Sequence, residues 1–431
     1  MEIYCRQVTP RMLYMADWLG NYLFGYALPV KTASYEIDTE IPVLNYSDEK
    51  LPFQAYQVAP SGLLFEQTVQ DQCIEVDKNQ SLPIFFATGG QHGFDILSAV
   101  FYLIARYEEY LPAPKDIYGR YAHINSIAFR NNFLKRPVVD EWMVDLKENL
   151  RQFYPGITFK TRAFTYQPTY DIDIAWSYLN KSNLVNAAGF VKDLFKGNIL
   201  AIKERMLTLS GRTTDPFDVF KEWDVIHDKY NLSPVYFFLM AAKRAGYDKN
   251  ISPVNKPFQS LIREVSAKYK TGIHLSWQAS GKSGKMQHEK KSLEIIIDKA
   301  VKANRMHYIN FHLPQTFQQL EEIEISEEYS MGYGSINGFR ASTCTPYKWY
   351  DLSIESATGL TIYPFAYMEA NSIFEQKEDA ATALKELQYF CDITRKVNGT
   401  LVTIFHNHLV GINKEGRIWW KMYQDFLGSN F

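Results

Sequence analysis

Two aspartates stand two residues apart where a predicted β-strand should end. Asp171 and Asp173 follow an alternation of apolar and polar residues over 157–166, which predicts the strand. Residues i and i+2 of an extended chain point to the same side, so the two carboxylates should converge. Converging carboxylates repel each other unless a cation or a shared proton lies between them. Two interpretations are open at this point: a solvated loop, or a metal ligand beside a catalytic base.

Further polar residues lie at or near the ends of later predicted strands. They are His274, Arg305, His307, Arg340, His406 and His408. Each histidine taken alone is more often a hydrogen-bonded structural residue than a ligand. However, parallel α/β folds gather residues from the carboxyl ends of several strands into one site. Together with the aspartates, these residues form the set needed for metal-assisted hydrolysis: ligands for a cation, a base and an acid.

Alternating strands and helices should position these residues. From about residue 157 onward, short apolar runs of strand length alternate with amphipathic segments of helical period. The predicted strands cover 235–240, 272–276, 306–310, 360–365 and 400–405. Asp215, followed by proline, predicts the N-cap of a helix that runs to Tyr230. Such alternation is typical of a mainly parallel sheet faced by helices, either open or closed into a barrel.

The first third of the chain is predicted to be a separate domain. A chain of 431 residues is too long for one ordinary core. We place the boundary at Pro155-Gly156, a stop signal after the predicted helix 138–153. Residues 1–156 would form a smaller α/β accessory domain of unknown role, and 157–431 would carry the site. No residues of the first block have the spacing of metal ligands.

The composition excludes several classes of protein. A net charge of −2 provides no basic surface for nucleic acid or for an anionic membrane. No window of about 18 apolar residues predicts a transmembrane segment. The start of the chain lacks the basic and apolar regions of a signal peptide, so we expect a cytoplasmic location. The four cysteines are widely scattered and predict neither a disulfide framework nor a zinc ribbon.

Because of these residues, the block formed by 157–431 resembles the NodB-type polysaccharide deacetylases, carbohydrate esterase family four. The segment Thr169-Tyr170-Asp171-Ile172-Asp173 matches the first motif of that family, and Ile404-Phe405-His406 approximates its last motif. The whole chain resembles a bacterial two-domain subgroup with an uncharacterised N-terminal domain. The resemblance implies a distorted (β/α) barrel preceded by a smaller α/β domain. It also implies removal of an N-acetyl group from an amino sugar.

The resemblance also implies roles for individual residues. Asp171 would be the general base, and Arg305 would orient it. Asp173 and His274 would bind a divalent metal, with zinc expected. His406 would be the general acid that protonates the departing amine.

One motif departs from the family pattern and leaves the metal site in question. Gln278 stands where the second motif histidine is expected, and an amide oxygen is a poor zinc ligand by comparison. From its position after a strand, His307 is our candidate for the missing imidazole. His312 is a weaker candidate for the same role.

Three residues are predicted to contact substrate. Arg340 could hold a substrate anion or stabilise an oxyanion. Trp277 and Tyr308 could stack on sugar rings, although both could equally be core aromatics.

The predicted function is metal-dependent N-deacetylation of a sugar in a glycan or a glycan precursor, with carbohydrate as the partner. The first alternative is a catalytically inactive relative that binds glycan or takes part in assembly, because Gln278 weakens the metal site. The second alternative is a hydrolase of another C–N bond on the same fold.

Overall fold

A computed structural model describes residues 1–77, 81–413 and 415–431 of the chain. The N-terminal block contains a small parallel sheet with strand order β2-β1-β3-β4, packed against helices. Its elements are β1 (Glu2–Tyr4), α1 (Pro10–Leu23), β2 (Val30–Lys31), β3 (Val43–Asn45), β4 (Tyr56–Gln57), α2 (Ile96–Ile104), α3 (Ile127–Arg130) and α4 (Val138–Phe153).

The second block alternates strands and helices, as predicted. The elements are β5 (Thr165–Ile172), α5 (Asn183–Phe195), α6 (Ile199–Leu209), α7 (Phe220–Tyr230), β6 (Val235–Leu239), α8 (Lys256–Lys268), β7 (Lys270–Leu275), α9 (Ser283–Ile297), β8 (Ala303–Met306), α10 (Gln315–Glu322), β9 (Glu327–Glu328), β10 (Tyr347–Asp351), β11 (Ser356–Ile362), β12 (Tyr367–Met368), α11 (Ala380–Lys396), β13 (Thr400–His406) and α12 (Gly416–Asn430).

Nine of these strands form one sheet with the order β10-β11-β9-β8-β7-β6-β5-β13-β12. Every described pairing in it is parallel except that of β10 with β11, which is antiparallel. Parallel strands that share a direction bring their carboxyl ends to one edge. The sheet therefore has the mixed α/β, mainly parallel character that the sequence predicts.

The segment between β11 and β12 forms hydrogen bonds at both ends of the parallel part of the sheet, near β9 and at β13. The backbone N–H of Phe365 donates to Met331 O at 3.1 Å, just beyond β9, and that of Ala366 donates to Val402 O at 3.1 Å in β13. No continuous ladder runs through this segment among the described residues. Full closure into a barrel therefore stays a prediction.

The two blocks share one hydrophobic cluster that extends from Met1 to Leu427. Buried polar contacts also join them. Asp140 of α4 accepts hydrogen bonds from Thr343 Oγ1 and from the backbone N–H of Cys344, both at 2.8 Å. Arg11 of α1 pairs with Glu355 at 2.6 Å. The division into domains 1–156 and 157–431 stays a prediction.

Three local predictions were wrong. The strand predicted at 306–310 lies at Ala303–Met306, and His307–Ile309 form a single 3-10 turn instead. The strand before the aspartates begins at Thr165, so most of 157–166 lies outside it. Asp215 does not cap α7, which begins at Phe220. Its buried carboxylate instead accepts the backbone N–H groups of Ser177, Tyr178 and Leu179. Asp215 therefore organises the loop after β5, because a buried carboxylate is satisfied by several N–H donors wherever they lie.

Among the described residues, no helix combines the length and the apolar character that a membrane crossing needs.

Candidate active site

The site lies at the carboxyl edge of the nine-stranded sheet. The strand register aligns its residues: His406 pairs with Asp171, and His274 pairs with Arg305. Asp173 and His307 follow directly after β5 and β8. The structure thus brings together the six residues that were predicted as base, metal ligands, orienting arginine and acid. They are Asp171, Asp173, His274, Arg305, His307 and His406.

Three of these side chains form a compact set of possible metal ligands. One ligand atom each from Asp173, His274 and His307 lie within 4.8 Å of one another. Asp173 Oδ1 is 3.3 Å from His274 Nε2, and Asp173 Oδ2 is 3.5 Å from His307 Nε2. Asp173 Oδ1 is buried and has no hydrogen-bond partner within the described part of the chain. A buried oxygen without a donor is suited to a cation.

The two imidazoles are oriented so that Nε2 faces this centre. His274 Nδ1 lies 2.8 Å from Arg305 O. A carbonyl oxygen can only accept, so Nδ1 carries the proton and Nε2 of the neutral ring presents its lone pair. His307 Nδ1 lies 2.9 Å from Asp248 Oδ1. The one-carboxylate, two-imidazole set fits a catalytic zinc site, which keeps a coordination position open.

Gln278 does not occupy a ligand position in this arrangement. Its side-chain amide donates to Asp248 Oδ2 at 2.9 Å and to Lys243 O at 3.0 Å. Asp248 also accepts the backbone N–H groups of Trp277 and Gln278. Gln278 therefore supports the carboxylate that supports His307. Second-layer carboxylates of this kind orient histidine ligands and increase their basicity.

Asp171 is held by a buried arginine. Arg305 Nη1 donates to Asp171 Oδ1 at 2.8 Å and to Thr169 Oγ1 at 2.7 Å, and its Nε donates to Tyr329 O at 3.0 Å. Arg305 packs on the ring of Phe237, and that ring fits here because Gly272 on the neighbouring strand has no side chain. A Cβ on Gly272 would lie 2.5 Å from the Phe237 ring, over which Arg305 Cζ lies at 4.5 Å.

His406 lies on the other side of the aspartates and has its own carboxylate. Its Nδ1 is 3.0 Å from Glu369 Oε1, and its Nε2 is 3.9 Å from Asp171 Oδ2 and 4.0 Å from Asp173 Oδ2. Burial opposes the charged ring, but Glu369 outweighs it and raises the pKa of His406 to about 10. His406 is therefore held protonated at neutral pH and can donate a proton.

The electrostatics of the other groups follow their surroundings. Burial opposes charge on His307, but Asp173 and Asp248 raise the pKa of this histidine to about 9. Burial opposes charge on Asp173 as well, yet the neighbouring histidines hold its pKa well below the usual range. Burial lowers the pKa of His408 to about 4, so this ring is neutral beside His406. A cation would thus compete with protons for His307.

These groups open into a cavity of about 480 Å³. That volume lies in the ~300–1,000 Å³ range of ligand sites. Of the predicted substrate contacts, Tyr308 lines the cavity and is 39% exposed. Trp277 lies behind it, with ring centroids 5.8 Å apart. His408 also lines the wall.

Arg340 is not brought to this cavity, so the proposed contact with a substrate anion or oxyanion has to be corrected. Its guanidinium is buried and forms a two-point ion pair with Glu109, with Nη2–Oε2 at 2.6 Å and Nε–Oε1 at 2.8 Å. Burial would raise the pKa of Glu109, but Arg340 and Arg106 overcome this and lower it to about 2. Arg340 is thus neutralised by an acid of the N-terminal block. His312 lies beside a separate cavity, away from the three ligands.

Sequence reasoning missed four residues of the site. Asp248 is a single acid in a loop, Glu369 directly follows the two-residue strand β12, and neither carries a motif that marks it. Tyr118 and Arg120 belong to the N-terminal block but line the same cavity. Both lie in the segment DIYGR, whose residues do not have the spacing of a ligand set.

Comparisons with known proteins add distant likenesses. Residues 1–155 match a family described as a family of unknown function, DUF7033. No curated protein matches the chain. Because the family match covers less than half of the sequence, it does not assign the whole chain to a family.

Among solved structures, the chain is similar to a candidate polysaccharide deacetylase from Mycobacterium smegmatis, with 12% identity, a TM-score of 0.41, and 64% and 85% of the two chains covered. A polysaccharide deacetylase from Bacillus cereus has 10% identity and a TM-score of 0.29, with 62% and 88% covered. A 4-alpha-glucanotransferase from Thermococcus litoralis has 12% identity and a TM-score of 0.37, with 63% and 38% covered. Likenesses this distant carry no argument about activity or substrate.

Proposed function

We propose that this protein is a metal-dependent hydrolase that removes an N-acetyl group from an amino sugar in a glycan or a glycan precursor. The observation that carries the proposal is the juxtaposition of two functional halves in one cavity. Asp173, His274 and His307 form the ligand set, and Asp171 and His406 lie beside it as base and acid. An intracellular location stays a prediction from the sequence.

The residues of the chain divide the chemistry between them. A zinc ion held by the ligand set would supply Lewis acidity, which polarises the amide carbonyl and acidifies the attacking water. Asp171 accepts the proton of the water as its oxygen attacks the carbonyl carbon. Arg305 Nη1, at 2.8 Å from Asp171 Oδ1, holds this carboxylate turned toward the reacting atoms.

His406 completes the reaction on the leaving-group side. The C–N bond breaks as His406 transfers its proton to the sugar nitrogen, so acetate and a free amine are released. Glu369 keeps the ring charged before transfer and holds its orientation through Nδ1. His406 Nε2 and the Arg305-held Asp171 are 3.9 Å apart, so both groups can reach one small reacting centre.

The first alternative, an inactive glycan-binding protein, loses its main support. That alternative depended on Gln278 as a failed metal ligand, but Gln278 binds Asp248 and leaves the three-ligand set intact. The second alternative, hydrolysis of another C–N bond, uses the same residues and differs only in the substrate.

The test measures metal binding and acetate release on the full chain. Purified protein should bind one zinc per chain and release acetate from oligomers of N-acetylglucosamine. Asp171→Asn should retain zinc but lose turnover by about 10²–10⁴-fold, the usual contribution of a general base. Failure to bind zinc, cobalt or manganese would contradict the proposal, and so would unchanged turnover in Asp171→Asn. Release of a different acyl or amine product would favour the second alternative.

A further inference from the structure

We propose that a turn of the N-terminal block, residues 116–121, forms one wall of the substrate site and binds a second sugar ring beside the one that reacts. This inference rests on the proposed function for the identity of its ligand, an oligosaccharide. It assigns a role to the block that matches only a family of unknown function.

The turn is rigid because one aspartate organises it. Asp116 Oδ1 accepts the backbone N–H groups of Tyr118 and Arg120, both at 2.9 Å. Asp116 Oδ2 accepts from Arg120 Nε at 2.7 Å. Gly119 has φ +79°, a left-handed conformation that glycine adopts without strain. The turn therefore presents Tyr118 and Arg120 in a fixed arrangement.

Arg120 connects this turn to the loop that carries His307. Its Nη1 donates to Tyr308 O at 2.5 Å, and its Nη2 donates to Gly334 O at 3.4 Å. Tyr308 and Ile309 have positive φ angles of 61° and 54°. This left-handed conformation is costly, above all for the β-branched Ile309, and it persists only where neighbouring residues enforce it. Arg120 is one such neighbour, so it acts as a positioning residue for the cavity wall.

Tyr118 belongs to a cluster of four rings, of which Tyr118 and Tyr308 line the cavity. Its centroid lies 5.7 Å from Tyr308, 5.8 Å from Tyr247 and 6.3 Å from Trp277. None of these rings is fully buried, and Tyr247 and Tyr308 are each 39% exposed. Partly exposed rings offer an apolar face with a polar edge, which suits a sugar ring better than a protein core.

The cluster lies next to the ligand set without being part of it. Tyr247 precedes Asp248, which holds His307 at 2.9 Å, and Tyr308 follows His307 directly. A sugar stacked on the cluster would thus extend from the reacting unit toward the N-terminal block. The structure assigns this cluster to a neighbouring sugar unit of a chain.

The test compares ligands of two lengths on the zinc-loaded full chain, with Asp171→Asn present throughout so that binding is measured without turnover. Calorimetry measures the affinity for N-acetylglucosamine and for its β-linked tetramer. Tyr118→Ala should weaken tetramer binding about tenfold more than monomer binding, from loss of a stacking ring. Tyr118→Phe should restore the affinity because the ring remains. Ile117→Ala is the matched control, since Ile117 lies in the same turn, is 91% exposed and does not line the cavity.

Several results would overturn the inference. These are equal losses for monomer and tetramer in Tyr118→Ala, a Tyr118→Phe variant as weak as Tyr118→Ala, and no preference for the tetramer when Tyr118 is intact. Thermal unfolding checks that each variant is folded. Tetramer binding that depends on the Tyr118 ring without acetate release would contradict the proposed hydrolase function but would support the sugar subsite.

An independent observation concerns the hairpin of α5 and α6, which follows the loop after β5. Its outer surface is apolar to a degree that is unusual for exposed helices. Phe195, Ile199 and Leu200 at its tip are 88%, 74% and 75% exposed. Contiguous exposed apolar side chains mark a surface that contacts a partner or a membrane.

The charge of the hairpin is opposite in sign to that of the rest of the chain. Residues 181–212 contain six basic and two acidic side chains, a net charge of +4, whereas the whole chain carries −2. Both acids have partners: Asp193 pairs with Arg205 of the hairpin at 2.8 Å, and Glu204 accepts from Tyr178, in the loop before the hairpin, at 2.9 Å. Exposed basic side chains without an ion-pair partner among the described residues are Lys192, Lys196, Lys203 and Arg212.

We infer that this hairpin binds the surface of an anionic membrane. Apolar side chains at the tip would enter the acyl boundary, and the surrounding lysines would contact lipid phosphates. A second copy of the chain fits less well, because a symmetric contact would bring two hairpins of charge +4 together.

Vesicle binding tests this inference with the full chain. Sedimentation with phosphatidylcholine vesicles containing about 30 mol% phosphatidylglycerol should exceed that with pure phosphatidylcholine by about tenfold at low salt, and should fall as salt rises. Phe195→Ser combined with Leu200→Ser should abolish binding. Ile354→Ser, which removes an apolar side chain that is 64% exposed elsewhere, should bind as the wild type does.

Equal binding to the two vesicle types would overturn the membrane inference, as would equal binding by the hairpin variant and the Ile354→Ser control. Light scattering provides the third comparison. A dimer that the hairpin variant dissociates would assign the apolar surface to a second copy of the chain.

Discussion

His307 and His406 have similar surroundings but different proposed roles. Both are buried, and both have Nδ1 on a carboxylate, Asp248 at 2.9 Å and Glu369 at 3.0 Å. They differ in what Nε2 meets. His307 Nε2 lies 3.5 Å from Asp173 and within the ligand cluster of His274, whereas His406 Nε2 lies 3.9–4.0 Å from both aspartates.

We interpret this difference to mean that the position of each histidine, rather than its pairing with a carboxylate, sets its proposed role. The pKa of His307 is raised to about 9 and that of His406 to about 10, with burial opposing both shifts and the nearby carboxylates causing them. A metal ligand must give up its proton, and a general acid must keep it. Under the proposed function, the same carboxylate support would make His307 a strong ligand and His406 a persistent acid.

The largest expected effect separates the two histidines by substitution. His307→Ala should reduce zinc affinity by at least ~10²-fold, because removing a ligand exceeds the 10–100-fold effect of removing a second-layer partner. His406→Ala should keep zinc affinity while turnover falls by about 10²–10⁴-fold. Calorimetry with zinc and an acetate-release assay measure the two quantities. If zinc affinity falls equally in both variants, the two rings share one role and the comparison fails.

The carboxylates behind the rings should separate in the same way, with a smaller effect. Asp248→Asn should reduce zinc affinity by about 10–100-fold, because it removes the charge that increases the basicity of His307. Glu369→Gln should leave zinc affinity close to the wild-type value, because Glu369 contacts His406 and not a ligand. A loss of zinc affinity in Glu369→Gln that matches Asp248→Asn would contradict the assignment of the two carboxylates.

Glu369→Gln should also change the pH profile. The folded pKa of His406 lies above its ordinary value, so the protonated acid is present at low pH and is lost as pH rises through about 10. Without the carboxylate, we expect the alkaline limb of kcat/KM to move to lower pH by about one to three units. Glu375→Gln is the matched control, since Glu375 is an exposed acid on the same cavity wall. An alkaline limb that stays in place would remove His406 as the acid.

The sequence could predict the residues that lie on strand ends but not those behind them. Asp171, His274 and His406 follow apolar runs whose carboxyl ends must meet in a parallel sheet. Asp248 lies in a loop, where a single acid has no periodicity or spacing to mark it. Glu369 follows β12, a strand of two residues, which is too short to be recognised as an apolar run. The roles of both acids depend on which histidine ring lies beside them, and only the fold determines that.

Arg340 shows the opposite failure. A conspicuous arginine near a predicted site suggested a substrate contact, but its charge is neutralised by Glu109 from the first block at 2.6 Å. Because 1–156 was predicted to be a separate accessory domain, Glu109 was not expected to be a partner of Arg340. The shared hydrophobic cluster and the Tyr118–Arg120 turn show why that restriction hides residues of the site.

The smallest expected effect on zinc affinity is that of Gln278, which contacts Asp248 and not a metal ligand. Gln278→Ala removes one of the donors to Asp248, while the two backbone N–H groups at 2.9 and 3.1 Å remain. Zinc affinity should therefore fall by only ~3–10-fold, less than the 10–100-fold expected for Asp248→Asn. Gln278→His tests the alternative directly, since it restores the family motif. If it increases zinc affinity as a fourth ligand, Gln278 stands at a ligand position after all. If it weakens affinity as Gln278→Ala does, the amide serves His307 through Asp248.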